Sequence, residues 1–400
     1  MAGYRELLRT PGVGRILAAQ LAARLPAGMF SLSLLIHIES THGTYGAAGL
    51  VLAAMSVGQG IAGPLTTRWM GRWSMRWVLA LTSVVCVAAI LTLAFVIMPI
   101  PATMLVGFVG GLAFPPVSSA VRTIYPKIVN SQLLTPLFSI DAAAQELIWV
   151  MGPVLAIFLA TQVSPVIALV IAAGLMVVGG AWFIASPELG RVRIPRPRGS
   201  IGVVLRKPVV LIATIAGFLV VANCAALEAA VVSIYGEGGA ESGLVIAIWS
   251  VGSLVGGLLL GRMGLTRWSL AQRFVIILVG CSIAMIWLDF WWLSASLFLA
   301  GIGLAPAMAA MSSQVSSSVR FSETAESFGW VNTGQLIGAA LGSAVAGFMI
   351  DGIGSIGGFF AAVGLILIAV ILAVVSARWL PDLRDRDVGP VPDTQPIRTI

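Results

Sequence analysis

Charge is what this chain has least of. Only 10% of its 400 residues are Asp, Glu, Lys or Arg, against about 25% in ordinary soluble domains. A soluble fold of this size needs a charged skin, and the residues to make one are missing. Cysteine is scarce too. Cys86, Cys224 and Cys281 each sit inside an apolar run, with no CxxC or Cys/His spacing. That argues against a disulfide framework or a metal site and leaves three small buried hydrophobes. No Walker sequence is present, so ATP drive is not expected, nor is a cofactor. A cleavable signal peptide is not expected either, because the first apolar run is interrupted by Arg24 and is too long for an h-region. Lysine occurs only at Lys127 and Lys207. The arginine, alanine, glycine and valine richness is compatible with a high-GC bacterial gene.

Apolar residues are what the chain has in plenty: 58% of the total, with a mean hydropathy of +1.01. They fall into runs at 16–38, 47–67, 77–98, 102–124, 138–160 and 163–185, then at 209–235, 243–261, 271–289, 293–319, 325–350 and 356–377. Each is long enough to cross a bilayer of about 30 Å as a helix, the one open structure that satisfies its own backbone in hydrocarbon. The expectation is an all-α membrane protein with twelve transmembrane helices.

The formal charge of +7 would ordinarily suggest nucleic acid. Its placement argues otherwise. Of the 23 basic residues, 22 lie before the first run, after the last, or on alternate connections. The positive-inside rule then puts both termini in the cytoplasm, and a cysteine at Gly238, between the seventh and eighth runs, should be labelled from outside. A bacterial inner-membrane location follows, with no nucleic-acid partner. The stretch 188–207 carries six basic residues with Pro195 and Pro197, and should lie along anionic lipid. It divides the chain into a bundle at 1–187 and another at 208–378, followed by a polar tail at 379–400 expected to be disordered.

The halves repeat one another. Ser56-Val57-Gly58, with Gly63, Leu65 and Arg68, recurs 194 positions on as Ser250-Val251-Gly252, Gly257, Leu259 and Arg262. Ser118-Ser119-Ala120-Val121-Arg122 recurs at an offset of 198 as Ser316-Ser317-Ser318-Val319-Arg320. Two matches at nearly one offset indicate a 6+6 internal repeat.

With that repeat, the basic central linker and the segment Gly63-Pro64-Leu65-Thr66-Thr67-Arg68-Trp69-Met70-Gly71-Arg72, the chain resembles the major facilitator superfamily over essentially its whole length. The resemblance implies two rocking six-helix halves, a site near the midplane lined by the first, fourth, seventh and tenth helices, and a conformational switch at Gly63, Arg68, Gly71 and Arg72. The usual acidic position of that switch is Thr67 here, and one residue is added before Gly71. The fourth helix is expected to lack the intramembrane arginine of many proton-coupled exporters. In the fifth, Gly152-Pro153 is similar to an exporter motif ending in Gly-Gly, but Leu155 and Ala156 follow.

Ionisable residues inside spans are costly and need a reason. Arg24 and Glu146 each lie about 12 Å into their helices at 1.5 Å per residue, so they are the expected pair. Asp141, nearer the cytoplasmic end, is the competing partner, and a static structural ion pair is the alternative role. Glu228 and Asn223 sit deep in the seventh run, Glu228 as either a cation or proton site or a snorkelling residue. Asn332 and Gln335, three apart, should share a face, contacting substrate or hydrogen-bonding between helices. Gln145 completes the candidates for substrate or proton binding. His37 and Glu39 should be solvated at the outer end of the first helix. Gly107, Gly110 and Gly111, and likewise Gly334, Gly338 and Gly342, are at helix-packing spacings.

The expected function is secondary transport of a small organic solute by a monomer, with proton-coupled efflux of an amphipathic compound foremost. A sugar or metabolite carrier of the same fold is second, and a non-transporting sensor or scaffold stands as a different class. Protons would be taken up by Asp141, Glu146 or Glu228, since burial and a nearby arginine push a carboxylate's proton affinity in opposite directions.

Overall fold

The structure, a computed structural model, describes residues 6–7, 9–43, 45–192, 194, 200–235, 240–261, 263–384 and 388–393. Its helices are α1 (Val13–His42), α2 (Tyr45–Arg72), α3 (Met75–Phe95), α4 (Ile100–Leu112), α5 (Val117–Ile128), α6 (Ser131–Gln162), α7 (Pro165–Ala185) and the short α8 (Pro187–Arg191). After the linker come α9 (Pro208–Tyr235), α10 (Ala240–Leu260), α11 (Ser269–Ala284), α12 (Phe290–Ser318), α13 (Phe321–Ile353) and α14 (Ser355–Val375). Counting α4 and α5 as one span, eleven of the described helices are long and apolar enough to cross a membrane, and α11 is a shorter apolar helix.

Two differences from the expected spans have local causes. The fourth run is not one helix. Pro115 and Pro116 cannot donate to a helical ladder, so α4 ends at Leu112 and α5 starts afresh at Val117, with Pro116 as its cap. The ninth span ends at Ala284 rather than 289. There Asp289 caps α12 by accepting from Trp291 and Trp292 N–H, both at 3.2 Å. The Trp292 indole donates to Ile283 O at 2.8 Å, which ties the turn down. His37, expected to be solvated, is buried with Nε2 3.0 Å from Leu93 O.

Within residues 13–185, α1 packs on α6 and α7, α2 on α4, and α3 on α4 and α7. Within 208–375, α9 packs on α13 and α14, α10 and α11 on α12, and α11 on α14. Lipid offers no hydrophobic drive between helices, so close backbone approach at small residues holds them together. The repeated Gly58 and Gly252 show this. A Cβ at Gly58 would strike Phe108 O of α4, and one at Gly252 would strike Phe298 O of α12. Outward, large apolar side chains such as Trp77, Val84, Val178 and Phe348 are exposed, as a hydrocarbon solvent requires.

The two groups of helices meet through α2 on α13, α6 on α10 and α12, and α5 on α13. Besides a mid-helix hydrogen bond from the Thr333 hydroxyl to Gly60 O at 2.9 Å, several specific contacts lie toward the end that carries the basic connections. Arg68 Nη1 is 3.3 Å from Glu326 Oε2, Phe138 packs on Phe328 with ring centroids 6.2 Å apart, and Lys127 Nζ lies 4.4 Å from the Phe321 ring centre. The hydroxyls of Thr135 and Ser313 are 3.2 Å apart. The linker is pinned here too, Gly202 N donating to Glu326 Oε1 at 2.8 Å and Lys207 pairing with Glu323. Arg193, Pro195, Arg196, Pro197 and Arg198 of the linker, and Gly238, lie outside the described residues.

The expectation of a disordered tail over 379–400 does not hold for its described part. Leu383 N donates to Leu265 O at 2.7 Å, and Val391 forms an isolated parallel bridge with Arg320, Val391 N donating to Val319 O at 3.0 Å and Phe321 N to Val391 O at 3.2 Å. Leu380, Leu383 and Val388 are buried. Three apolar anchors in an otherwise polar segment are enough to dock it on the basic end.

Candidate functional site

A cavity of about 250 Å³ opens between α1, α2, α5 and α6, with α13 closing one side. The break at Pro115-Pro116 shapes it, because Phe114 to Ser119 turn across its wall. Its polar lining includes Arg24, Gln59, Gln145 and Asn332, and its apolar lining Phe30, Phe114 and Trp149. Phe30 and Phe114 meet edge to face with centroids 6.5 Å apart. A second, apolar groove of about 670 Å³ runs between α2 and α13 and shares Ser56 and Leu336 with the first.

Behind the cavity lies a buried charge cluster. Arg24 Nη1 donates to Asp141 Oδ1 at 3.0 Å and to Gln20 Oε1 at 2.7 Å, and Arg24 Nη2 donates to Gln145 Oε1. Arg122 Nε donates to Asp141 Oδ2 at 3.1 Å, and its Nη2 to Gln145 Oε1 at 3.4 Å. The Tyr125 hydroxyl donates to Asp141 Oδ1 at 3.1 Å. One carboxylate thus holds two guanidiniums, which are permanently charged, and Asp141 itself is 1% exposed.

The expected Arg24–Glu146 pair does not form; Asp141, the competitor, takes Arg24. Asp141 and Gln145 are four apart and share the face of α6 that meets α1, whereas Glu146 is turned about 100° further round the helix. Glu146 faces Ser253 of α10 and lies within electrostatic reach of Glu228 on α9. Asn223 is away from the cavity, donating to Ala362 O at 2.9 Å and to Cys281 Sγ at 3.7 Å. Asn332 and Gln335 separate. Asn332 lines the cavity, while Gln335 turns to Met308, with Nε2 3.5 Å from its sulfur. Two side chains less than one turn apart are thereby directed to different neighbours.

The segment resembling the switch is only partly as expected. Gly63 packs against Gly329 and Thr333 of α13, and Thr67, in the acidic position, folds its hydroxyl back on Gly63 O at 2.7 Å. The acid facing Arg68 is Glu326 of the other half. Arg72 is exposed and Gly71 half-buried.

Arg122, Tyr125 and Gln20 belong to the cluster but were not among the expected site residues. The fourth span does hold a buried arginine, since Arg122 is 7% exposed within it; counting it as a connection charge hid this. The signals were present: Gln20 and Arg24 are four apart, as are Asp141 and Gln145, and Arg122 and Tyr125 are three apart, each spacing putting polar groups on one helix face.

The family model of the Major Facilitator Superfamily matches residues 16–290 and 226–399. No curated protein matches the chain. Among solved structures, a bacterial homologue of the iron transporter ferroportin in an outward-facing state aligns with a TM-score of 0.70 at 14% identity, covering 92% of this chain and 98% of that one. The human organic anion transporter MFSD10 (TETRAN) aligns with a TM-score of 0.69 at 17% identity, covering 90% of this chain and 99% of the other. At such identities the likeness is one of fold.

Proposed function

This chain belongs to the major facilitator superfamily, and we propose that it is a secondary transporter that exports a small amphipathic solute by alternating access coupled to protons. One observation carries this reading: the cavity is walled by four helices of the first half and completed by Asn332 and Leu336 of the second. A site shared in this way changes its exposure whenever the halves rock. Apolar walls with a few convergent polar groups suit an amphipathic cargo better than a sugar, which needs many hydrogen-bond partners. The two solved neighbours are named for different cargoes, iron and organic anions, so the side chains and not the fold must choose.

We place the basic end at the cytoplasm of a bacterial inner membrane, following the distribution of Lys and Arg. The contacts of Arg68 with Glu326 and of Phe138 with Phe328 then close the cytoplasmic side, and their release is the switch. Of the three carboxylates, Asp141 is held by two arginines, which leaves Glu146 and Glu228 for coupling. They sit on opposite halves, so rocking changes their separation, and with it the number of protons the pair holds. The protein acts as a monomer, with its basic linker beside anionic lipid.

Flux in proteoliposomes under an imposed pH gradient tests the proposal. With Glu146→Gln and Glu228→Gln together, substrate exchange should persist while uphill transport stops. Uphill transport by the double variant, or drive by sodium alone, overturns proton coupling through this pair.

A further inference from the structure

The charges of the cluster do not balance. Arg24 and Arg122 face the single carboxylate of Asp141, and Gln20 and Gln145 contribute only neutral oxygens. One positive charge is left over in a region shielded from water, where an uncompensated charge is costly.

The acids on the packed elements are directed elsewhere. Glu146 points away from the two arginines, toward Ser253 of α10. Glu326 of α13 binds Arg68 and the Gly202 N–H, and Glu188 binds Arg15 at the bundle's end. No acidic residue lines the cavity among the described residues, whereas Arg24 does.

A second positive source points the same way. α5 is a 12-residue helix, and its first residues, Val117, Ser118 and Ser119, lie on the cavity wall. The unpaired N–H groups and dipole of a helix N-terminus favour an anion. Beside Arg24, the fully buried Gln20 Nε2 is a donor with no acceptor. Neutral side chains make up the rest of the lining, the apolar ones including Phe30, Leu52, Met55, Phe114, Ile148 and Leu336.

We propose that this cavity binds an amphipathic monoanion, a carboxylate or sulfonate on a compact apolar body, whose anionic group is received by Arg24 and the first turn of α5. The inference rests on the reading of the cavity as the cargo site. The cargo supplies the negative charge that the protein withholds. One charge is met by one charge, so a dianion or a cation is disfavoured. Arg122 stays with Asp141 when Arg24 turns to the cargo, and the protein's own cluster remains neutral.

The test is equilibrium binding to the purified full-length chain in lipid nanodiscs, which needs no transport. The probes share one body: radiolabelled phenylbutyrate, challenged by phenylbutylamine and phenylbutanamide. Phenylbutyrate should bind about tenfold or more tightly than either, the margin expected of a charge-assisted contact. Arg24→Gln should remove that preference while the protein still folds and melts cooperatively, a few degrees lower than the parent, since Asp141 keeps Arg122. Gln59→Glu, which places an acid on the cavity wall and leaves the cluster intact, should weaken the anion and not the amine. Amine or amide binding equal to that of the anion overturns the proposal, as does unchanged anion preference in a folded Arg24→Gln protein. Selective anion binding without flux would refute the carrier reading and leave the site standing; flux of amines in preference to anions would do the reverse.

Discussion

The two halves carry a five-residue pattern alike at four positions, Ser118 to Arg122 and Ser316 to Arg320, and put its arginine to different uses. In the first half the span breaks at Pro115-Pro116, α5 sets off in a new direction, and Arg122 arrives inside the bundle against Asp141. In the second half α12 runs unbroken from Phe290 to Ser318. Its arginine is delivered past the helix end, where the Arg320 backbone N–H donates to Glu323 at 3.0 Å and its carbonyl accepts from Thr324 at 3.1 Å. One deep polar residue of the second half, Asn223, is consumed in a contact with Ala362 O. Repetition preserved the helix contacts, as Gly58 and Gly252 show, while one proline pair changed where charge goes. The first half supplies most of the cavity's polar lining, and the second adds Asn332 and Leu336.

Asp141→Asn breaks this comparison hardest. It leaves two buried guanidiniums with neutral oxygens only, and removing one partner of a buried ion pair costs about 3–5 kcal/mol. The variant should express poorly or melt far below the parent in detergent. A melting temperature within a degree or two of the parent would mean that water reaches the cluster freely.

The paired variants Arg122→Gln and Arg320→Gln sharpen it. Losing Arg122 removes two buried hydrogen bonds but leaves Asp141 neutralised by Arg24, for a cost of about 1–3 kcal/mol. Losing Arg320 keeps the backbone contacts and should cost under about 1 kcal/mol. Thermal unfolding of both side by side should rank them in that order. The reverse ranking would remove the asymmetry between the halves.

Much of this architecture could be read from the residues. Runs of apolar residues and the alternation of basic connections gave the membrane-spanning class, and the solitary Arg24 gave the region of the site. Its partner could not be found by depth alone. Depth counts distance along a helix, and Glu146 scores well on it; which neighbour a face meets is an angular question. Asp141 and Gln145 answered it by matching the spacing of Gln20 and Arg24 across the α1–α6 contact. Arg122 was hidden for another reason. A charge near the end of an apolar run looks like a connection residue unless the proline pair before it is read as a change of direction. The tail misled in the opposite sense, since polarity outweighed the three buried residues Leu380, Leu383 and Val388.

The smallest expected effect belongs to the joint between the halves. Lys207 at the linker's end pairs with Glu323 in the first turn of α13, with side chains 24% and 18% exposed. Glu323 does not depend on that lysine, because it also accepts the Arg320 N–H at 3.0 Å, and a carboxylate in a helix's first turn is favoured by the dipole. A partly exposed pair of this kind contributes about 0–1 kcal/mol and is screened by salt. Lys207→Gln should therefore shift the melting temperature slightly, and less at high salt than at low, while flux in proteoliposomes stays at the parent's level. A large loss of flux with unchanged melting would show that the linker governs the rocking of the halves and does not merely tether them. In that case the pairing of Lys207 with Glu323 would join that of Arg68 with Glu326 as part of the proposed switch.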